Sequence, residues 1–166
     1  MFRYIFDLFA PSSLQDNLRT QTIPLRCGGC AHPIAEFDPL LKVRPDAEAR
    51  AEEVLRRDID NPEAVVLAAE GIGPDKNKVV GVVRAQVRER PFYSPEREGV
   101  ILDIYLLPIY RRKGVGEFLL QEITAKLKEK GAGVVTAEFP TQNEIAVRFY
   151  AKRGFRPITS LHARSV

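Results

Sequence analysis

In the middle of the chain Val83, Ala85 and Val87 alternate with Arg84, Gln86 and Arg88, a period of two that predicts a strand with one buried and one wet face. That strand, over residues 79–90, is the second arm of a hairpin whose first arm is 64–70 and whose loop reads Gly-Ile-Gly-Pro-Asp-Lys-Asn over 71–77. Past Pro91 and Pro95, residues 100–107 are apolar at nearly every position, with Asp103 the exception, and so read as a strand covered on both faces. Leu119, Ile123 and Leu127 then recur every fourth residue, with Phe118 and Leu120 beside them. This predicts a helix over 117–130, stopped by Gly131. A strand over 134–139 follows, then a helix over 144–153 with Ile145, Ala146, Phe149 and Tyr150 on its apolar side.

Upstream, Asp46 and Glu48 favour a helix start, Ala47, Ala51, Val54 and Leu55 form its buried stripe, and Asn61-Pro62 ends it. Phe2, Tyr4, Phe6 and Leu8 alternate with Arg3, Ile5 and Asp7 as a strand would, although Phe2, Phe6 and Phe9 also fit one helical stripe. Short helices are read over 14–19 and 34–41. Strands interleaved with helices make an α/β (α+β) fold, a mixed central sheet with helices on both faces.

The length of 166 residues suits one domain spanning 1–166. A formal charge of +3 and a pI near 8.9 argue against a dedicated nucleic-acid binder. There is no apolar run of the roughly 18 or more residues a membrane span needs, and Arg3 and Asp7 interrupt the apolar start. The expectation is a soluble, cytoplasmic protein with no membrane and no nucleic-acid partner.

Candidate chemistry concentrates at residues 104–116, Ile-Tyr-Leu-Leu-Pro-Ile-Tyr-Arg-Arg-Lys-Gly-Val-Gly, where a strand runs into a cationic, glycine-punctuated helix start. A helix N-terminus offers unpartnered N–H groups and a positive dipole end, and Gly114 and Gly116 let a phosphate approach. Arg111, Arg112 and Lys113 add charge. The alternative is a surface turn with a solvated basic run. A dinucleotide fingerprint is excluded because Leu119 stands where its third glycine would, and a P-loop because Lys113 precedes its glycine.

Leu106, Pro108, Arg111, Gly114 and Gly116, followed by an apolar helix, resemble the coenzyme A signature of the GNAT N-acetyltransferases. Asn143, Phe149-Tyr150 and Gly154-Phe155 match the same family downstream. The resemblance covers residues 79–158, while 1–45 are atypical. It implies a bulged, splayed central strand whose Ile104, Tyr105 and Leu106 main chain holds the pantetheine of acetyl-CoA, with the Leu106 N–H polarising the acetyl carbonyl. It further implies a pyrophosphate held by Arg111, Arg112, Lys113, Gly114, Val115 and Gly116, with Asn143 as coenzyme tether or simply as helix cap. Tyr150 matches the family's proton donor to the thiolate, against the alternative of a packed core aromatic. Asp103 and Glu138 are the candidate bases, and a strand-end acid such as Glu138 also pairs readily with a surface cation.

The implied function is acetyl transfer from acetyl-CoA to a primary amine by direct attack in a ternary complex. The acceptor is a small-molecule or peptide amine, and Arg84 and Arg88 hint at an acidic one. A non-catalytic acyl-CoA sensor is the alternative. Cys27, Cys30, His32 and His162 suffice in number for one zinc site, but their spacing fits no common finger, so free thiols lead and no metal is expected. The chain ends soon after Phe155, which leaves the last strand of the family short, absent or donated. A homodimer is one way to cover that edge.

Overall fold

The computed structural model describes residues 5–7, 38–40, 42–71, 73–75 and 78–166. One mixed sheet carries five strands in chain order: β1 (Ile5–Asp7), β2 (Ala64–Glu70), β3 (Val79–Glu89), β4 (Arg97–Leu106) and β5 (Val134–Ala137). Strands β1 to β4 pair antiparallel, whereas β4 and β5 run parallel. A parallel pair cannot be closed by a tight turn, and the crossover is α2 (Val115–Glu129). Helix α1 (Ala47–Asp60) precedes β2, and α3 (Glu144–Ala151) follows β5.

The period of two in β3 decides which helix covers which face. Val83 and Ala85 are fully buried, as are Leu67 opposite Val83 and Ile101 opposite Ala85, and with Leu119, Ile123 and Leu127 of α2 they form the core. Burying each such Val, Leu or Ile side chain stabilises the fold by roughly 1.5–3 kcal/mol. On the other face Arg84 meets Asp58 of α1. Strand β2, in contact with both helices, is buried from Ala64 to Ala69.

Several boundaries differ from the sequence reading. Helix α2 begins at Val115, directly after Gly114, because the glycine takes the N-cap position. Strand β5 stops at Ala137 and α3 at Ala151, short of the predicted 139 and 153. Ile145, expected on the apolar side of α3, is 79% exposed, since the helix turns only Tyr150 fully inward and Ala146 and Phe149 partly. In α1 the stripe of Ala47, Ala51, Val54 and Leu55 is half-buried, and the one fully buried residue is Asp58. The strand reading near the N-terminus holds at Ile5–Asp7, which pairs with β2. The helix read over 14–19 and the Cys27, Cys30 and His32 group lie outside the described residues. Of 34–41 only 38–40 are described, and they hold no helix. No described strand follows α3.

Candidate active site

Strand β4 carries one extra residue. Arg84 stands opposite Asp103 but Ala85 opposite Ile101, so Leu102 is a bulge. Without that bulge Leu102 would face Arg84, and Asp103 would point to the opposite side of the sheet. Just beyond it β4 parts from β5: their parallel pairing ends at Ile101 opposite Ala137, extended only by the Glu138 N–H donating to the Ile101 carbonyl at 3.1 Å. Pairing with β3 continues to Leu106 opposite Gly81.

The splay exposes selected main-chain groups. The Leu107 N–H donates to the Val80 carbonyl at 3.0 Å, and bonded pairs alternate along an antiparallel ladder. Asp103 and Tyr105 therefore turn their N–H and C=O groups toward β3, while Ile104 and Leu106 turn theirs toward the side β5 has left. The Leu106 carbonyl receives a long bond from Arg111 Nε at 3.4 Å. Of the three residues expected to offer main-chain groups, Tyr105 thus spends its own on β3.

The free edge leads directly to α2. A 3-10 turn, Pro108–Tyr110, ends in a loop where Arg112 (φ 61°) and Gly114 (φ 83°) are both left-handed. Such residues in a tight turn gather N–H groups into an anion-binding concavity. Gly114 caps the helix with no side chain, so its first-turn N–H groups are not taken by a cap. A Cβ on Gly114 would meet nothing within 4 Å, so the side an anion would approach is open. A Cβ on Gly116 would lie 3.1 Å from Leu106 Cδ1 and 3.4 Å from Phe149 Cε2, which is why β4, α2 and α3 can converge here. Arg111, Arg112 and Lys113 are exposed at the mouth and Val115 is buried. The loop is tied down through Tyr110, whose hydroxyl donates to Asp75 and whose ring lies 5.5 Å from Lys113 Nζ.

Tyr150 is the buried residue of α3. Its ring stacks on Phe139 (5.0 Å between centroids) and meets Phe149 and Phe155 edge-on (5.2 and 5.1 Å). Burial, with Asp103 adding to it, pushes its phenol pKa well above the ordinary tyrosine value. Tyr150 is therefore both a packed aromatic and a phenol that keeps its proton. Asn143 caps α3, its Oδ1 accepting from the Ala146 N–H at 3.1 Å.

The two candidate bases lie in different surroundings. Glu138 is exposed and paired with Arg88 Nη1 at 2.7 Å. Asp103 is only 22% exposed and receives Arg84 Nε (2.9 Å) and Nη2 (2.5 Å) on the same oxygen, Oδ2. The far end of that guanidinium, Nη1, donates to Asp58 Oδ2 at 2.7 Å. Both arginines of the wet strand face are thus neutralised by carboxylates, which removes the hint of an acidic acceptor. Asp58 was missed in the sequence, although its signal was present: it stands four residues past Val54, in phase with the apolar stripe of α1.

A free strand edge, an uncapped helix start and two left-handed residues fit the pantetheine and diphosphate of a coenzyme A. The acetyltransferase (GNAT) family model matches residues 33–155. The chain belongs to this family. Membership makes it an acetyltransferase with acetyl-CoA as co-substrate, and the bulge and splay of β4 are those expected of the GNAT fold.

Among solved structures the chain is similar to the aminoglycoside antibiotic 6'-N-acetyltransferase from Acinetobacter haemolyticus (TM-score 0.68, 16% identity, covering 99% of this chain and 98% of that one). It also resembles a putative acetyl transferase from Pyrococcus furiosus (TM-score 0.69, 18% identity, 98% and 99%). A third likeness is to an aminoglycoside N-acetyltransferase solved with the bisubstrate analogue CoA-S-monomethyl-acetylneamine (TM-score 0.64, 15% identity, 98% and 97%). At these identities the likeness is one of fold. Comparison with curated proteins gives no sequence match. Among the described residues no helix is long and apolar enough to cross a membrane.

Proposed function

We propose that this GNAT acetyltransferase transfers the acetyl group of acetyl-CoA to a primary amine by direct attack within a ternary complex. The observation that carries the reading is the continuity of the β4 edge that β5 leaves, where Ile104 and Leu106 turn their main chain outward, with the uncapped start of α2. Extended amide-bearing chain suits the first and a diphosphate the second. Acetyl-CoA, when bound, supplies the activated thioester.

The chain's own residues divide the remaining work. Ile104 and Leu106 bind through main-chain N–H and C=O groups, and the fixed Leu106 N–H dipole is placed to polarise a carbonyl. Arg111, Arg112, Lys113 and the N–H groups of Gly114, Val115 and Gly116 hold the diphosphate. Asn143, already a cap through Oδ1, is the match for the family's coenzyme tether. Tyr150 holds a proton at its phenol oxygen for the departing thiolate, and its raised pKa favours the protonated state it needs.

For the acceptor's proton, the geometry favours Asp103 over Glu138. Asp103 is partly buried and close enough to Tyr150 to contribute to its pKa shift, and its Oδ1 accepts no hydrogen bond among the described residues. Glu138 is exposed and occupied by Arg88. The presence of an acid and a base around one edge supports an enzyme over a non-catalytic acyl-CoA sensor. The aminoglycoside acetyltransferases among the similar structures make a small-molecule amine the acceptor class to test first, with a peptide amine second.

The test is thiol release from acetyl-CoA with a panel of primary amines: an aminoglycoside, a polyamine, an amino sugar and a lysine peptide. Amine-dependent release with at least one of them is expected. Saturable acetyl-CoA binding without release for any of them would favour the sensor instead.

A further inference from the structure

Asp58 is the one buried charged side chain among the described residues, 4% exposed, and acetyl transfer as laid out above gives it no part. It sits in the last turn of α1, away from the β4 edge, yet one side chain separates it from the proposed base. Arg84 bridges the two, giving Nη1 to Asp58 Oδ2 and both Nε and Nη2 to Asp103 Oδ2. A guanidinium normally grips a carboxylate with two parallel bonds, one to each oxygen. Here both bonds converge on a single oxygen of Asp103, and the third donor is drawn to α1.

We propose that Asp58 is a positioning residue for acetyl transfer: by anchoring the outer end of the Arg84 guanidinium it keeps Arg84 on one oxygen of Asp103 and leaves the other for the acceptor amine. The proposal rests on Asp103 as base. Its physical content is both geometric and electrostatic. Two carboxylates share one guanidinium, so the trio keeps a net negative charge beside the acceptor amine instead of the neutral balance of a private pair.

The charged groups facing Asp103 from the elements around it are few. Arg84 comes from β3, Asp58 from α1 and Tyr150 from α3. Arg57, 3.5 Å from Asp58 Oδ1, is largely in solvent, and Glu138 just past β5 is taken by Arg88. Among the described residues Arg84 is therefore the only cation on the proposed base, and Asp58 the only other anion on Arg84.

The test is Asp58→Asn, which keeps shape and one hydrogen bond but removes the charge. With the most active panel amine, kcat is expected to fall roughly 10-fold while the KM for acetyl-CoA and CoA affinity stay unchanged. In Asp58→Asn/Asp103→Asn the loss should equal that of Asp103→Asn alone, because Asp58 acts through Asp103. A purely structural Asp58 would lower thermal stability but leave kcat in place, and that result overturns the proposal.

Side-chain 15N NMR of Arg84 in the wild-type protein gives a second reading that needs neither a folded variant nor an acceptor. With Nη1 held by Asp58 and Nε and Nη2 by Asp103, distinct and slowly rotating Nη groups are expected. A freely rotating guanidinium would refute the link even if no amine is acetylated, whereas an inactive panel with a held guanidinium would refute only the enzymatic reading.

Discussion

The jobs proposed for individual side chains at this site are separable. Tyr150 packs against three aromatic rings, and Phe keeps that packing. Tyr150→Phe is therefore expected to lower turnover by roughly 100-fold or more while leaving CoA affinity and melting temperature nearly unchanged. Steady-state kinetics beside calorimetric titration of CoA would check this, and unchanged turnover would remove the acid role. Gly114 has φ 83° and nothing within 4 Å of a Cβ. Gly114→Val is thus expected to cost about 1–2 kcal/mol of backbone strain and to remove most CoA binding by filling the open side of the cradle. Gly116→Val differs in kind, because its side chain would press on Leu106 and Phe149 and lower stability as well. A denaturant titration separates the two variants.

Elements explain what could be read in advance. The strands and helices from Ala64 onward were legible because period two in β3 and every fourth residue in α2 each match one burial geometry. The cationic, glycine-punctuated start of α2 was legible because its signal is local, and its role as a diphosphate cradle is the reading proposed for it. What the sequence withheld depends on pairs distant along the chain. The Leu102 bulge, which sets Asp103 opposite Arg84, exists only relative to β3. Alternation then frees Ile104 and Leu106 but not Tyr105, a distinction absent from a run of apolar letters. Ile145 misled because its apolar character matched the stripe of a helix that turns it to solvent. Asp58 was hidden among the many acids of α1. At this scale the bridge from α1 through Arg84 to β4 makes a measurable claim. Arg84→Met removes the closest charged partner that buried Asp58 has among the described residues and is expected to destabilise the fold by about 3–5 kcal/mol, as measured by urea unfolding.

For the molecule as a whole, the perturbed groups make stability depend on pH at both ends of the scale. Burial raises the Tyr150 pKa above its ordinary 10.0. Its contribution is therefore complete below pH 10 and is lost as pH rises from there through the folded-state value. At the acid end Arg44 and Arg50 hold Asp46 at about 2 against an ordinary 3.8, so that contribution is present above pH 3.8 and fades toward pH 2. Melting temperatures across pH should fall on both sides, and in Tyr150→Phe the alkaline fall should be smaller.

The central claim is that the β4 edge abandoned by β5, together with the start of α2, is where the coenzyme lies. Backbone amide hydrogen exchange with and without CoA tests it residue by residue. CoA is expected to slow exchange at Ile104, Leu106 and residues 114–116, with little change at Tyr105, whose N–H already serves β3. Exchange at Ile104, Leu106 and 114–116 that is unaltered by saturating CoA would contradict it.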